Sequence, residues 1–297
     1  MKKIIVFSVI AIIVASCGGG SPKQSGQTGQ NKPQEKQLNI SILLDLSDRI
    51  NPAKHPAVPE HYERDIEVIK TVTEYFKKNM EMLTAWKAKG KIRIFFSPPP
   101  SNPAINTIAE KLKVDCSTLD NKGRKAVYDT ITGLFAYNLK EIYQQSIQTS
   151  AWEGSDIWRF FKNDVKDYCI DKDTSYRNVL IVFTDGYIYH KQSVSQNANR
   201  YSYLLESNIR QFRRQADWKD KINTGDFGLI SERKDLMNLE VLVLELSSEN
   251  SNNKTDEDIL KYVLEKWFEE MNVSHYEVYS SDLPTNTKTR VENFFSR

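Results

Sequence analysis

Three short stretches of this 297-residue chain place oxygen-bearing side chains at the ends of apolar runs: Asp45-Leu46-Ser47-Asp48-Arg49, Gly154-Ser155-Asp156 and Thr184-Asp185-Gly186. Each alone has an ordinary meaning. Asp and Ser at a strand end cap nearby backbone amides in a turn, Ser155 suits a helix N-cap, and Gly186 permits positive φ. The combination is more specific, because two carboxylates that end adjacent central strands converge at one edge of one sheet. Beyond Asp185, Tyr187 and Tyr189 are expected at that same edge. Tyrosine buries much area and still offers a hydroxyl, so both are expected to meet a binding partner.

The elements that must hold these loops are legible as alternating periodicities. Leu38 to Leu46, Asn178 to Thr184 and Leu239 to Leu246 are nearly continuous apolar runs rich in β-branched residues, as in strands buried on both faces. Lys91 to Phe96 and His275 to Tyr279 are further strands, and Val114 to Ser117 an edge strand. Helical spacing marks His61 to Met82, Ile105 to Leu112, Lys125 to Ile147, Ser155 to Val165, Glu257 to Met271 and Val291 to Phe295. Strands alternating with helices predict an α/β fold with an open, mostly parallel, doubly wound sheet covered by helices on both faces. In such sheets ligands bind beyond the carboxyl ends of the strands, where the three loops lie.

Together, the Asp45 loop, Ser155 and Thr184-Asp185-Gly186 resemble the von Willebrand factor A domain over residues 38–297. That family's metal-ion-dependent adhesion site takes an Asp-x-Ser-x-Ser loop after the first strand, a Thr from a second loop and an Asp from a strand-end Thr-Asp-Gly. Asp45 and Ser47 match the first loop, Ser155 stands at the Thr position, and Asp185 matches the last carboxylate. The resemblance implies hard oxygen ligands for Mg²⁺ or Mn²⁺, with an open position for an acidic side chain of a partner. Neutral hydroxyls leave the cation's charge uncompensated, so an incoming acid is drawn strongly.

Arg49 departs from the family pattern, standing at the second serine. Its guanidinium can take the cation's place and neutralise Asp45 and Asp185, or it can point away and leave coordination to Asp48 or water. Asp48, Arg49 and Asp156 are therefore expected to modulate the site.

The amino-terminal residues point to the cell envelope. Lys2 and Lys3 precede an apolar run from Ile4 to Val14, too short to span a bilayer. Val14-Ala15-Ser16-Cys17 resembles the lipobox of bacterial lipoproteins, which implies removal of residues 1–16 and lipidation of Cys17. Several acyl chains hold a protein on a membrane where one is marginal. Residues 17–37 contain almost nothing to bury and form a tether, about 25 Å in root-mean-square reach. The expected location is the outer membrane, on either its periplasmic or its surface face. The expected partner is an envelope or extracellular protein.

Charge and motif inventory narrow the function. The 41 basic residues less Lys2 and Lys3 leave 39 against 39 acidic ones, with no basic run, which argues against nucleic-acid binding. An Asp after the first strand is also used by haloacid-dehalogenase-like phosphatases, but their Asp-x-Asp is here Asp45-x-Ser47 and lacks the general acid and base. No nucleophile elbow, phosphate loop, dinucleotide fingerprint or His-Glu-x-x-His pair occurs. A binding module is the expectation, with an inert scaffold subunit of an envelope complex as the alternative and a metal-dependent phosphohydrolase as the remotest. Cys116 and Cys169 are too few and too far apart to form a disulfide framework, and are expected to be free.

Overall fold

The computed structural model describes residues 35–84, 86–149, 152–249 and 254–297. The expected signal segment, Cys17 and most of the tether lie outside the described residues. The chain runs β1 (Gln37–Leu44), α1 (His61–Leu83), β2 (Lys91–Phe96), α2 (Pro103–Glu110), β3 (Val114–Asp115) and α3 (Asn121–Ile147). There follow α4 (Ile157–Arg159), a π turn (Phe160–Asp164), α5 (Val165–Cys169), β4 (Tyr176–Phe183), β5 (Gln196–Asn197), β6 (Arg200–Tyr201), α6 (Glu206–Ile209) and α7 (Trp218–Thr224). The chain closes with β7 (Gly228–Leu229), β8 (Leu239–Leu246), α8 (Lys254–Glu270), β9 (His275–Ser280) and α9 (Pro284–Phe295).

Six strands form one sheet in the order β3-β2-β1-β4-β8-β9, and only the β2–β3 pairing at its edge is antiparallel. The expected open α/β sheet is therefore present. Its central strands are apolar on both faces because helices cover both. Leu38, Ile40, Ile42 and Leu44 of β1 join a core with Val68, Val72 and Phe76 of α1, Phe135 and Leu139 of α3, and Phe294 of α9. On the other face Leu43, Leu180, Val182 and Val243 pack with Phe161, Val263, Trp267 and Phe268. Cys116 is buried in the first core and Cys169 in the second; both are free.

Local chemistry explains where the helices begin. Asn102 accepts from the Ala104 amide and Pro103 occupies the first turn of α2, two residues before the expected start. Asp120 accepts from Gly123 N and starts α3 four residues early. Asp156, not Ser155, caps α4 by accepting from the Arg159 amide. The largest difference from expectation is the stretch between β4 and β8, where β5, β6 and β7 form a second, three-stranded sheet. Strands of two residues show no period in sequence. Among the described residues, no helix is long and apolar enough to cross a membrane.

Candidate functional site

Because β1 and β4 are parallel neighbours with Leu44 opposite Phe183, Asp45 and Thr184 leave the sheet side by side. The Asp45 amide still bonds to the Phe183 carbonyl (3.0 Å), and the Thr184 amide to the Leu244 carbonyl (3.1 Å). Sheet pairing thus fixes the backbone of both loops at their first residue. The side chains continue the stitching. Thr184 Oγ1 donates to Asp45 Oδ2 at 2.8 Å and accepts from the Gly186 amide at 3.1 Å. Asp45 Oδ1 accepts from the Ser47 amide (2.9 Å), and Asp185 Oδ1 from the Tyr187 amide (3.0 Å). Gly186 has φ +95°, and a Cβ there would lie 2.3 Å from Leu246 Cδ1, so the Asp185 turn closes over β8 only with glycine.

The Asp185 carboxyl is pushed well above the usual carboxylate range, first by burial and then by the charge of Asp45. Two acids at neighbouring strand ends cannot both ionise cheaply without a cation between them.

Ser155 arrives by a different route. Its amide donates to the Tyr189 carbonyl and its carbonyl accepts from the Tyr189 amide, both at 2.9 Å. The next residue ties back to the exit of β2: Asp156 N donates to Ser97 O, and Ser97 Oγ to Asp156 O, both at 2.8 Å. Gly154 permits the close approach, since a Cβ on it would stand 2.2 Å from the Tyr189 carbonyl. Ser155 is therefore pinned to the loop that follows Asp185. Its Oγ is buried and has no hydrogen-bond partner among the described residues. An orphaned hydroxyl of this kind is costly and calls for an explanation.

The remaining expected residues divide sharply. Asp156 faces its own surroundings: Oδ2 accepts from Ser193 Oγ (2.6 Å) and Arg159 Nε (3.2 Å) and lies 3.1 Å from His190 Nδ1. It holds the β4 exit loop against α4. Asp48 pairs with Lys54 at 2.8 Å in solvent. Tyr189 is exposed, but Tyr187 is buried and its hydroxyl accepts from the Glu249 amide, so the expectation that it faces a partner is corrected. Strand alternation would put both tyrosines on one face; the chain instead buries Gly186, Tyr187 and Ile188 in succession before Tyr189 emerges.

Arg49 turns away from the two strand-end carboxylates. Its Nε donates to the Asp45 backbone carbonyl (3.1 Å) and its NH2 to Asp65 Oδ2 on α1 (2.5 Å), with both side chains buried. Tyr143 of α3 donates to the same Asp65 oxygen at 2.7 Å. Nearby, Glu245 sits at an irregularity near the end of β8 with φ +69° and accepts from Ser281 Oγ at 2.6 Å. One oxygen each of Asp65 and Glu245 has no hydrogen-bond partner among the described residues. Burial and then the charge of Asp65 push the Glu245 carboxyl up, and burial followed by Arg49 pushes His61 down to about 4. Arg49, Asp65 and Tyr143 form a buried hydrogen-bonded network, with Glu245 near enough to feel the charge of Asp65, and only Arg49 of these was expected from the sequence. Asp65 reads as one more acid in the first turns of a helix, and nothing in its spacing shows that it points inward.

Fold and site together define an open α/β sheet with two carboxylates at neighbouring strand ends and a buried serine, Ser155, pinned to the loop that follows the second of them. No family model matches the chain, and no curated protein aligns with it. Among solved structures it is similar to the pilus adhesin SpaC of Lactobacillus rhamnosus GG in an open conformation, at 10% identity and a TM-score of 0.40. The alignment covers 89% of this chain and 30% of the adhesin, so the chain spans less than a third of that protein's length.

Proposed function

We propose that residues 38–297 form a von Willebrand factor A-like binding module, held at the cell envelope through a lipidated Cys17, that captures an envelope or extracellular protein and catalyses nothing. Its contact edge is the carboxyl end of the sheet, with Tyr189 exposed beside it. Asp45, Ser47, Ser155 and Asp185 are the residues that would hold Mg²⁺ or Mn²⁺. The cation would supply a positive centre for an acidic side chain of the partner.

The observation that carries this reading is the buried Ser155 hydroxyl without a partner, next to a loop whose Asp185 is strained by the charge of Asp45. Hard oxygens with spare lone pairs and excess negative charge match a small divalent ion. Arg49 does not compete for that place, because its guanidinium is committed to Asp65. Among the described residues, no three His, Cys, Asp or Glu side chains gather as a metal-binding group. The donors would therefore be two carboxylates and two hydroxyls, with water completing the shell.

The test is thermal unfolding of the chain with and without magnesium or manganese. A ligand at about 100 times its Kd stabilises the native state by about 2.7 kcal/mol. A saturable rise in Tm that is lost in Asp185→Ala and weakened in Ser155→Ala is expected. No response in the parent to millimolar magnesium or manganese would refute the metal-assisted mechanism.

A further inference from the structure

A cavity opens beside the strand-end loops, where Leu46, Ser97 and Gly154 line it. The cavity has a volume of about 430 Å³ and is walled by Leu46, Pro98, Pro100, Gln145, Trp152 and Glu153, among others. That volume falls in the range of about 300–1,000 Å³ typical of small-ligand pockets. Three features give it a sign. Among the described residues, Glu153 is the only ionisable one in its wall, and no Lys, Arg or His of them lines it. The last turn of α3 reaches it through Gln145 and Ser146, followed by Gln148 just beyond, and that 27-residue helix has no basic residue in its last turn. A helix C-terminus carries about half a negative charge, here left without the usual basic side chain to offset it. Leu46 connects the cavity to the strand end that bears Asp45, whose charge has the same sign.

The walls suit an organic cation better than a hydrated inorganic one. Prolines and Leu46 accept a methylene stem, and the half-buried Trp152 offers an aromatic ring that attracts a cation. Gln145 Oε1 accepts from Asn102 Nδ2 and keeps a second lone pair for an N–H donor.

We propose that this cavity binds the guanidinium or ammonium group of an organic cation, seated between Trp152 and Glu153 with its charge toward the carboxyl end of α3. The site is separate from the strand-end oxygens and does not depend on a metal there.

Calorimetric titrations in EDTA test it while leaving the divalent-ion question aside. The probes are N-acetyl-arginine amide, its neutral isostere N-acetyl-citrulline amide, and a pentapeptide with one central arginine. The arginine probes are expected to bind at least about tenfold more tightly than citrulline, and to weaken with added salt. Glu153 is exposed, so Glu153→Gln folds normally and should cut arginine affinity several-fold; Trp152→Phe keeps the packing and should weaken it less. Equal affinity for the pentapeptide and the capped amino acid identifies a small free cation. A pentapeptide bound about tenfold more tightly identifies a partner's basic segment. Citrulline binding as well as arginine, no saturation by any probe, or no effect of Glu153→Gln would overturn the proposal.

Discussion

The molecule gathers two groups of acids, all but the half-buried Asp185 fully buried, and treats them differently. Under α1, Asp65 receives Arg49 and Tyr143, while Glu245 receives Ser281. At the ends of β1 and β4, Asp45 and Asp185 receive backbone amides and Thr184 but no cationic side chain. The lone arginine of the Asp45 loop lies between the two groups and gives its ion pair to the inner one. The comparison separates two uses of buried charge. The inner group is held by the fold's own cation, whereas the outer carboxylates crowd each other without one, the arrangement on which the proposed cation site rests.

Breaking the inner pair should have the largest effect. Removing one member of a buried, hydrogen-bonded ion pair leaves the other charge uncompensated, typically at about 3–5 kcal/mol. Arg49→Ala is expected to lose stability in that range by chemical denaturation. Arg49→Ser introduces the serine of the von Willebrand factor A pattern that the loop resembles and should lose nearly as much, without creating a metal response that the parent lacks. A loss below about 1 kcal/mol would mean that Arg49 is not the cation of the inner group.

The outer group should show in the pH dependence of stability, where Glu245 of the inner group shares its sign. A carboxyl whose folded pKa lies above its unfolded value binds its proton more tightly in the native state. Its contribution is fully present below about pH 4 and is lost as pH rises through the folded value. Asp185 and Glu245 both have this sign. In EDTA, stability should therefore fall from about pH 4 toward pH 8, and Asp185→Asn should flatten part of that fall, with a gain on the order of 1–3 kcal/mol at pH 8. Magnesium should reverse the trend, because a cation requires the carboxylates deprotonated. Stability that rises with pH in EDTA and is unaltered by Asp185→Asn would break the contrast between the groups.

Thr184 tests whether the outer carboxylates are positioned or merely adjacent. Its hydroxyl links the Asp45 carboxylate to the Gly186 amide. Thr184→Val keeps the shape and removes both bonds, at a cost of about 1–3 kcal/mol. Any magnesium-induced rise in Tm should shrink as well. Lost stability with a full metal response would assign Thr184 to the fold alone.

These contrasts also show what a linear sequence can disclose. The strand runs at Leu38 and Asn178 were readable because strands buried on both faces must be apolar throughout, and their ends placed Asp45 and Asp185 on one edge. Ser155 was found through a motif; its attachment to Tyr189 was not, since an isolated bridge leaves no periodic trace. The inner group was invisible for the same reason that Tyr187 was misplaced. Direction toward the core is decided by tertiary packing, and Asp65, Tyr143 and Glu245 meet only after three separate elements have docked.

The smallest expected effect concerns Asp48, the acid next to the Ser47 position. It is well exposed, and its partner Lys54 is more so, at 2.8 Å. Exposed pairs of this kind contribute about 0–1 kcal/mol, because solvent and salt screen them and ordering two side chains costs entropy. Asp48→Asn should therefore leave stability within about 0.5 kcal/mol of the parent. The informative measurement is the metal titration. If Asp45, Ser47, Ser155 and Asp185 with water complete the shell, magnesium should stabilise Asp48→Asn as strongly as it does the parent. If Asp48 swings from Lys54 to supply a missing ligand, the same substitution should weaken the response about tenfold or more while leaving the metal-free protein unchanged. That outcome would enlarge the outer group by one carboxylate and sharpen its difference from the inner one, where the positive charge is the protein's own.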